Sequence, residues 1–329
     1  MKRSFGLLPN GEEAFLYTIT GSGITAKLTD VGASLVQLHV PDPKGNVADV
    51  VLGYDTAAEY VIRGDFLGAT VGRFGNRIKG GSFRPRDTQI TMDKSEGNNN
   101  LHSGLAFFKD RIWTVETHTE NSICFRLESP HGDQGFPGND CIRVIYTLEQ
   151  SGLKIAYDAV SDRDTVFNMT NHSYFNLAGH DRPEMGRKQV LSMPARFYVE
   201  VDAELIPTGV LRPTAGTAFD FRKPMPLGRE DAPEGSYDHC FEVFTAPCAI
   251  LSDPESGRTM AVITDLPGVQ MYAAGGTDEM GKGGVHYGEG SAVCLETEFY
   301  PDSVNHPEWP QPITRAGERY HTETIYKFN

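Results

Sequence analysis

The chain has 329 residues, of which 39% are hydrophobic and 10% aromatic, and it carries a formal net charge of −14. This acidic balance argues against nucleic acid and anionic membrane surfaces as partners, because both select basic patches. A neutral or cationic small molecule is the expected partner. No run reaches the roughly 18 apolar residues of a membrane span, and the N-terminal segment lacks an apolar signal core. A cytoplasmic monomer or homodimer is therefore expected.

The chain has no linker, no charge block and no repeat at a fixed period, which predicts one domain over residues 1–329. Its five cysteines are odd in number and lack C-x-x-C spacing, so they are predicted to be buried free thiols. Neither H-x-H nor H-E-x-x-H occurs among the histidines, so no metal site is predicted.

Short β-rich runs bounded by Gly, Pro, Asn and Asp recur along the whole chain. The first are predicted at 15–20, 24–29, 35–40, 47–53, 111–117, 123–128, 141–149 and 153–160, the last two as a hairpin. A helical pattern is almost confined to 57–62. Later strands are predicted at 196–201, 239–244, 260–264, 269–274, 291–300 and 324–328. The fold class is therefore all-β, a large antiparallel β-sandwich.

Two glycine-rich stretches imitate nucleotide-binding motifs. Residues 21–26 match the dinucleotide fingerprint G-x-G-x-x-A, but the continuation I-T-A-K-L-T-D is typical of a strand where the fingerprint needs a helix. Residues 281–284 lack the G-K-[ST] ending of a P-loop. We expect a hairpin turn at the first and no phosphate site at the second.

The stretch T-V-F-N-M-T-N-H-S-Y-F-N-L-A-G at 165–179 is rich in neutral hydrogen-bonding side chains. If it is extended, Phe167 and Met169 face the core, while His172 and Tyr174 share the opposite face with Asn and Thr side chains. Such donors and acceptors suit sugar or polyol hydroxyls. A purely structural histidine is the alternative that this stretch alone leaves open.

A second strand-like stretch, S-A-V-C-L-E-T-E-F-Y at 291–300, places Glu296 and Glu298 beside Cys294 on one face. Buried carboxylates without partners are costly. The two alternatives are a built site and an exposed edge strand with solvated acids. Further polar groups occur in Y-D-H around Asp238, in V-G-R-F-G-N-R-I and in N-L-H-S-G.

Taken together and in this order, the motifs resemble one family, the aldose 1-epimerases or galactose mutarotases. The resemblance runs from about residue 53 to the C-terminus, and it leaves the first fifty residues without an assigned role. Its motifs include V-G-R-F-G-N-R-I, N-L-H-S-G, G-F-P-G, T-N-H-S-Y-F-N-L-A-G, L-I-P-T-G, P-G-V-Q-M-Y and C-L-E-T. The resemblance implies a large β-sandwich that interconverts the anomers of a free hexose such as D-galactose or D-glucose without a cofactor.

The resemblance also implies roles for particular residues. Glu296 of C-L-E-T is implied as the general base that takes the anomeric hydroxyl proton, and His172 as the general acid that protonates the ring oxygen, with the acetal carbon between them. The implied substrate-binding residues are Asn76, Arg77, His102, Asp238, Gln270 and Tyr174. Arg73 is predicted to be structural. Because a free Glu titrates below a free His, the acid limb of the pH profile is expected to report Glu296 and the alkaline limb His172.

Departures from the family pattern concern the pocket rather than the acid and base. Ser103 occupies a position that is glycine in the family's more usual L-H-G-G motif. Glu298-Phe299-Tyr300 follows C-L-E-T, where the family more usually has a Gln-Asn-Trp-like segment. Three rival functions remain: a non-catalytic sugar-binding domain, a hexose-phosphate 1-epimerase and a glycoside hydrolase. The first would not need an acid–base pair, the second needs a basic cluster for phosphate, and the third uses two carboxylates and leaves His172 without a role.

Overall fold

The computed structural model of the protein describes residues 1–85, 89–233 and 237–329. The N-terminal segment forms a five-stranded antiparallel sheet in chain order, with β1 Lys2–Leu7, β2 Glu13–Gly21, β3 Ile24–Thr29, β4 Ser34–Pro41 and β5 Val47–Asp49. Ser22 and Gly23 have positive φ angles of 52° and 79° and form the turn between β2 and β3. The predicted hairpin is therefore confirmed, and residues 21–26 do not open a dinucleotide-binding helix.

One α-helix occurs in the described part of the chain, α1 Ala57–Ile62, as predicted. Its first turn is capped by Glu59, whose Oε2 accepts a hydrogen bond from the Thr56 backbone N–H at 3.1 Å. Ala57 and Tyr60 are its buried residues. The helix ends at Ile62. Arg63 follows it with an extended backbone, and the chain then enters the wall of the cavity described below.

The remaining described strands in chain order are β6 Thr70–Val71, β7 Arg77–Ile78, β8 Ser82–Phe83, β9 Ile90–Thr91, β10 Asn100–Leu101, β11 Thr114–His118, β12 Ser122–Ser129, β13 Asp140–Glu149, β14 Gly152–Ser161, β15 Thr165–Val166, β16 Thr170–Asn171, β17 Tyr174–Phe175, β18 Val190–Ser192, β19 Phe197–Val201, β20 Pro207–Pro213, β21 Met225–Pro226, β22 Asp238–Glu242, β23 Ala249–Ser252, β24 Thr259–Thr264, β25 Gly268–Tyr272, β26 Glu279–Met280, β27 His286–Tyr287, β28 Val293–Glu298, β29 Ile313–Thr314 and β30 Arg319–Phe328. Short 3₁₀ helices cover Lys79–Gly81, Phe108–Asp110, Asp133–Gly135, Pro183–Lys188, Lys282–Gly284 and Ser303–Asn305. None of the described helices is long and apolar enough to cross a membrane.

Two large antiparallel sheets carry most of the core. One has nine strands in the order β11-β12-β13-β14-β30-β24-β23-β18-β21, and the other has six in the order β17-β28-β25-β22-β19-β20. They meet in one hydrophobic cluster, where the ring centroids of Phe175 and Tyr326 lie 4.9 Å apart and the Tyr326 hydroxyl donates to the Leu295 carbonyl at 3.0 Å. The predicted all-β antiparallel sandwich is confirmed.

The hairpin predicted at 141–149 and 153–160 is also confirmed, as β13 and β14. The turn consists of Gln150 and Ser151, both with positive φ, and Gly152 begins β14 rather than occupying the turn.

The prediction that Arg73 is structural is confirmed as well, because its guanidinium is fully buried against Asp140 at 2.5 Å and donates to Ser129. All five thiols are free, and Cys141 is the one among them that is not fully buried.

The stretch 165–179 differs from the predicted single strand. It contains three two-residue strands, β15, β16 and β17, which pair with β29, β6 and β28 respectively. The side chains on both of its faces are buried, because the segment passes between several sheets instead of lying on one. The exposed-edge alternative for 291–300 is wrong, since β28 lies between β17 and β25 and all six of its residues are buried.

Candidate active site

One cavity of about 210 Å³ lies over one face of the six-stranded sheet. All eight residues predicted for the site line it, together with five that were not predicted. The lining residues are Gly64, Asp65, Phe66, Asn76, Arg77, Leu101, His102, His172, Tyr174, Asp238, Gln270, Tyr272 and Glu296. Residues more than 200 positions apart in the sequence thus meet around one space suited to a small molecule.

The register of four neighbouring strands builds the floor of the cavity. Tyr174 on β17 pairs with Cys294 on β28, Cys294 pairs with Tyr272 on β25, and Tyr272 pairs with Asp238 on β22. In the next row, Glu296 of β28 pairs with Gln270 of β25. Because alternate residues of a strand face the same side, Glu296 points the same way as Cys294. The carboxylate is therefore held on a rigid central strand.

His172 lies in the short connection between β16 and β17. Its backbone N–H donates to the Ala69 carbonyl at 2.9 Å, and its ring is stacked between those of Phe66 and Tyr174, at centroid distances of 5.7 and 5.0 Å. Its Nδ1 lies 3.4 Å from the Cys294 sulfur, and its Nε2 faces the cavity. The orientation of the imidazole is thus set by packing on both ring faces.

The Nε2 atom of His172 lies 3.7 Å from Oε1 of Glu296. This separation is too short for an acetal carbon to lie between the two groups, which differs from the predicted opposed arrangement. Side by side, they can instead contact the two oxygens bonded to one carbon atom. Neighbouring acid and base groups on one cavity wall are a geometry for moving a proton between two such oxygens.

Burial moves the pKa values of this pair in opposite directions. It raises the pKa of Glu296 well above its usual range, and the negative charge of Asp238 adds to the rise. It lowers the pKa of His172 to about 4. The order of the two pKa values is thus the reverse of the order that free side chains have. A single proton on the pair is consequently held on Glu296, next to a neutral imidazole.

His102 and Asn76 are joined by two hydrogen bonds. The Asn76 backbone N–H donates to the ring atom Nδ1 of His102 at 3.0 Å. In return, the backbone N–H of His102 donates to the backbone carbonyl of Asn76 at 3.1 Å. Because Nδ1 accepts, the neutral ring carries its proton on Nε2. Burial lowers the pKa of His102 well below its usual value, which keeps the ring neutral. His102 therefore offers an N–H donor.

The unusual Ser103 strengthens the same loop and does not line the cavity. It is fully buried, and its hydroxyl accepts from the Phe74 N–H at 2.8 Å and donates to the Phe74 carbonyl at 2.9 Å. Asn76 is also fixed at its side chain, which donates to Oε1 of the buried Glu298 at 3.1 Å. Both departures from the family pattern thus support the segment that carries Asn76 and Arg77.

Arg77 is held by carboxylates on two sides. Its Nε and Nη2 donate to the two oxygens of Glu96 at 2.6 and 2.9 Å, and its Nη1 donates to Asp238 Oδ2 at 3.4 Å. The other Asp238 oxygen accepts from Gln270 Nε2 at 2.5 Å. Bidentate pairing of this kind fixes the plane of a guanidinium. Arg77 is the one Lys or Arg among the described residues that line the cavity.

Three potential metal-ligand atoms, from His102, His172 and Glu296, lie within 4.8 Å of one another. A histidine that binds a metal ion usually donates its other N–H to an acceptor. Nδ1 of His102 instead faces an N–H donor, so its Nε2 keeps the proton and has no lone pair for a metal. The set is better suited to hydrogen bonding and proton transfer than to metal binding.

The sequence profile described as aldose 1-epimerase matches residues 16–327. The chain belongs to the aldose 1-epimerase family. It is 37% identical to the galactose mutarotase of Mus musculus over 334 aligned positions, which cover 99% of this chain and 97% of the mouse protein. It is 36% identical to the aldose 1-epimerase of Haemophilus influenzae, with 97% of each chain covered. A crystal structure of the GalM/aldose epimerase homologue from C. elegans matches it with a TM-score of 0.90 at 33% identity, covering 96% of this chain and 99% of that one.

Membership of the aldose 1-epimerase family confirms the resemblance inferred from the motifs and identifies the chain as an isomerase acting on a sugar. Sequence reasoning missed part of the cavity wall. Leu101 and Tyr272 lie inside motifs that were recognised, beside residues that were chosen. Gly64, Asp65 and Phe66 follow α1 in a stretch without any motif, and no sequence signal pointed to them. Glu96, the partner of Arg77, likewise lies outside every motif.

Proposed function

We propose that this protein interconverts the α and β anomers of a free neutral aldose, such as D-galactose or D-glucose, through the open-chain aldehyde. The observation that carries the proposal is the Glu296–His172 pair, 3.7 Å apart on one wall of a cavity lined by neutral hydrogen-bonding groups. Two of the relatives carry the names galactose mutarotase and aldose 1-epimerase, which supports the same reaction.

The proposed reaction needs one proton on the pair. Glu296 as carboxylate takes the proton from the anomeric hydroxyl, while His172 gives a proton to the ring oxygen, and the bond from C1 to that oxygen breaks. The aldehyde rotates about the bond between C1 and C2. Protonated Glu296 and neutral His172 then return the protons, and the ring closes as the other anomer. Ring opening and ring closure thus use the two singly protonated forms of the same pair.

The remaining cavity residues are proposed to bind the sugar. The neutral His102 ring, with its proton on Nε2, donates to an oxygen near C1, and Arg77 and Asn76 contact the oxygens that gain charge when the ring opens. Asp238 and Gln270 hold ring hydroxyls, and Tyr174 forms an apolar wall with a polar tip. Glu96 keeps Arg77 in place.

A hexose phosphate fits this site poorly. The cation that lines the described cavity, Arg77, already faces the carboxylates of Glu96 and Asp238, and Asp65 adds a further acid. A phosphate would gain no free cation and would meet several negative groups. The same acidity favours a neutral sugar.

We further propose that the protein acts in the cytoplasm as a monomer or homodimer, without a nucleic-acid or membrane partner, in line with its net charge of −14.

Polarimetry on freshly dissolved α-D-galactose, α-D-glucose and a hexose 6-phosphate tests the proposal. The expected result is acceleration over the buffer rate for a free hexose and none for the phosphate. Glu296→Gln keeps the shape of the side chain and should lower kcat at least about 10²-fold. Glu289→Gln, at an exposed surface glutamate, is the matched control and should leave the rate unchanged. A wild-type rate equal to that of buffer with every free aldose would refute the function.

A further inference from the structure

Asp65 is a carboxylate in the cavity wall for which the proposed reaction has no role. It follows α1 and lies between two anchored neighbours. Arg63 pairs with Glu279 at 2.8 Å, and the ring of Phe66 packs against the rings of His102 and His172 at centroid distances of 4.8 and 5.7 Å. The backbone that carries Asp65 is therefore fixed relative to the reacting pair.

The Oδ2 atom of Asp65 is buried and has no hydrogen-bond partner among the described residues. Buried polar atoms are nearly always paired in folded proteins, so an unpaired one requires an explanation. Burial, followed by the charge of Glu279, raises the pKa of Asp65 to about 6, and the hydrogen-bonding side chain of Thr277 and the charge of Lys109 only partly oppose the rise. The free protein thus keeps this carboxyl group in an unfavourable environment, as expected for a group that a ligand completes.

The charged neighbours of Asp65 differ from those of Glu296. The charged neighbours of Glu296 are Asp238 and Arg77, whereas those of Asp65 are Glu279 and Lys109. Tyr272 lies near both regions: burial raises its pKa to about 12, and the charges of Asp65 and Asp238 add to the rise. Asp65 thus lines the cavity without belonging to the charged group of Glu296, Asp238 and Arg77, and it is available to a hydroxyl of the sugar.

We propose that Asp65 is a specificity-determining residue that accepts a hydrogen bond from one hydroxyl of the aldose remote from C1. This inference rests on the proposed function and adds a contact from a segment of the chain outside the motifs that define the family. A buried acceptor atom in a cavity wall selects a hydroxyl donor and discriminates against a sugar that lacks it, because the acceptor is then left unpaired. An anionic substituent at the same place is excluded by charge.

The test combines Asp65→Ala with a series of monodeoxy sugars of the preferred hexose, each lacking one hydroxyl other than that at C1. In the wild type, one deoxy sugar should show a KM about 10- to 100-fold above that of the parent hexose, the range for a hydrogen bond to a charged group. Asp65→Ala should raise the KM of the parent by the same factor and leave the KM of that deoxy sugar unchanged. The kcat should stay within about threefold throughout, since the contact is remote from the reacting atoms.

A stability measurement separates this role from a structural one. In the absence of sugar, Asp65→Asn should leave the melting temperature unchanged or raise it, because it removes the charge of a half-buried carboxyl group whose Oδ2 atom is unpaired. Asp278→Asn, at an exposed residue next to Glu279, is the matched control for both measurements. The inference is overturned if Asp65→Ala leaves every KM unchanged, raises the KM of all deoxy sugars equally, or lowers kcat alone, or if Asp65→Asn destabilises the fold. A wild type without activity on any aldose would instead refute the proposed function.

Discussion

The backbone N–H of Asn76 points at Nδ1 of His102 from a distance of 3.0 Å. One hydrogen bond thereby determines the tautomer of a buried histidine whose burial keeps it neutral. It also removes His102 from the three residues that could otherwise surround a metal ion. The orientation of a single peptide group thus favours hydrogen bonding over metal chemistry at this site.

Excess EDTA, followed by dialysis, is therefore expected to leave the mutarotation rate unchanged. The measurement is polarimetric, with a blank that contains the same buffer and chelator, because buffers themselves promote mutarotation. Loss of activity that zinc or magnesium restores would contradict the tautomer assigned to His102.

The pH profile of kcat/KM should be bell-shaped, with the active form carrying one proton on the Glu296–His172 pair. The folded pKa of His172 is lowered to about 4, so the pair gains its second proton, and activity falls, as the pH drops through this value. The folded pKa of Glu296 is raised, so the pair loses its last proton on the alkaline side. The acid limb should thus report mainly His172 and the alkaline limb mainly Glu296, the reverse of the order in free side chains.

The two limbs can be separated with variants. Glu296→Gln should flatten the alkaline limb of its residual activity, whereas His172→Asn should flatten the acid limb. If the alkaline limb persists in Glu296→Gln and disappears in His172→Asn, the order of the two pKa values is wrong.

Glu298 is expected to act through Asn76 and to be neutral in the folded protein. Burial raises its pKa well above the usual range, with the charge of Glu296 as the next contribution. A carboxyl group whose pKa is higher in the folded than in the unfolded state takes up a proton on folding. The free energy of unfolding therefore falls as the pH rises above the unfolded value of about 4.3.

Glu298→Gln should accordingly raise the melting temperature at pH 8 while leaving it nearly unchanged at pH 4. Its side-chain oxygen can still accept from Asn76, so activity should stay within about threefold. Glu298→Ala removes the acceptor and should lower kcat/KM by about tenfold. Glu308→Gln, at an exposed position, serves as the control. Equal melting temperatures of Glu298→Gln and wild type at both pH values would show that Glu298 is not neutral.

Asp238→Asn should raise KM by about tenfold and lower kcat no more than it raises KM, because the carboxylate is proposed to bind hydroxyls. The variant loses one contact to Arg77, but Glu96 continues to hold the guanidinium through two bonds. Initial rates over a range of sugar concentrations give both constants, with exposed Asp231→Asn as the control. A fall in kcat at constant KM would place Asp238 among the reacting groups.

Local sequence patterns and motifs predicted the class of fold and eight of the residues that line the cavity. Period-two alternation in segments such as 141–149 and the even spread of Gly and Pro leave little besides antiparallel strands, and β13 and β14 follow that pattern closely. The motifs around Asn76, His102, His172, Asp238, Gln270 and Glu296 are local in sequence, so each could be found without coordinates. That residues 1–329 form a single domain stays a prediction.

Tertiary structure alone decided how these residues work. The opposite pKa shifts of Glu296 and His172 arise from desolvation by strands that are distant in sequence, and no local pattern encodes that burial. Arg77 faces Glu96 and Asp238 because the tertiary fold brings their side chains together, and the unpaired Oδ2 of Asp65 enters the cavity wall from a segment without a motif. Strand alternation is a property of neighbouring residues, whereas electrostatics and hydrogen-bond pairing depend on every group that surrounds an atom.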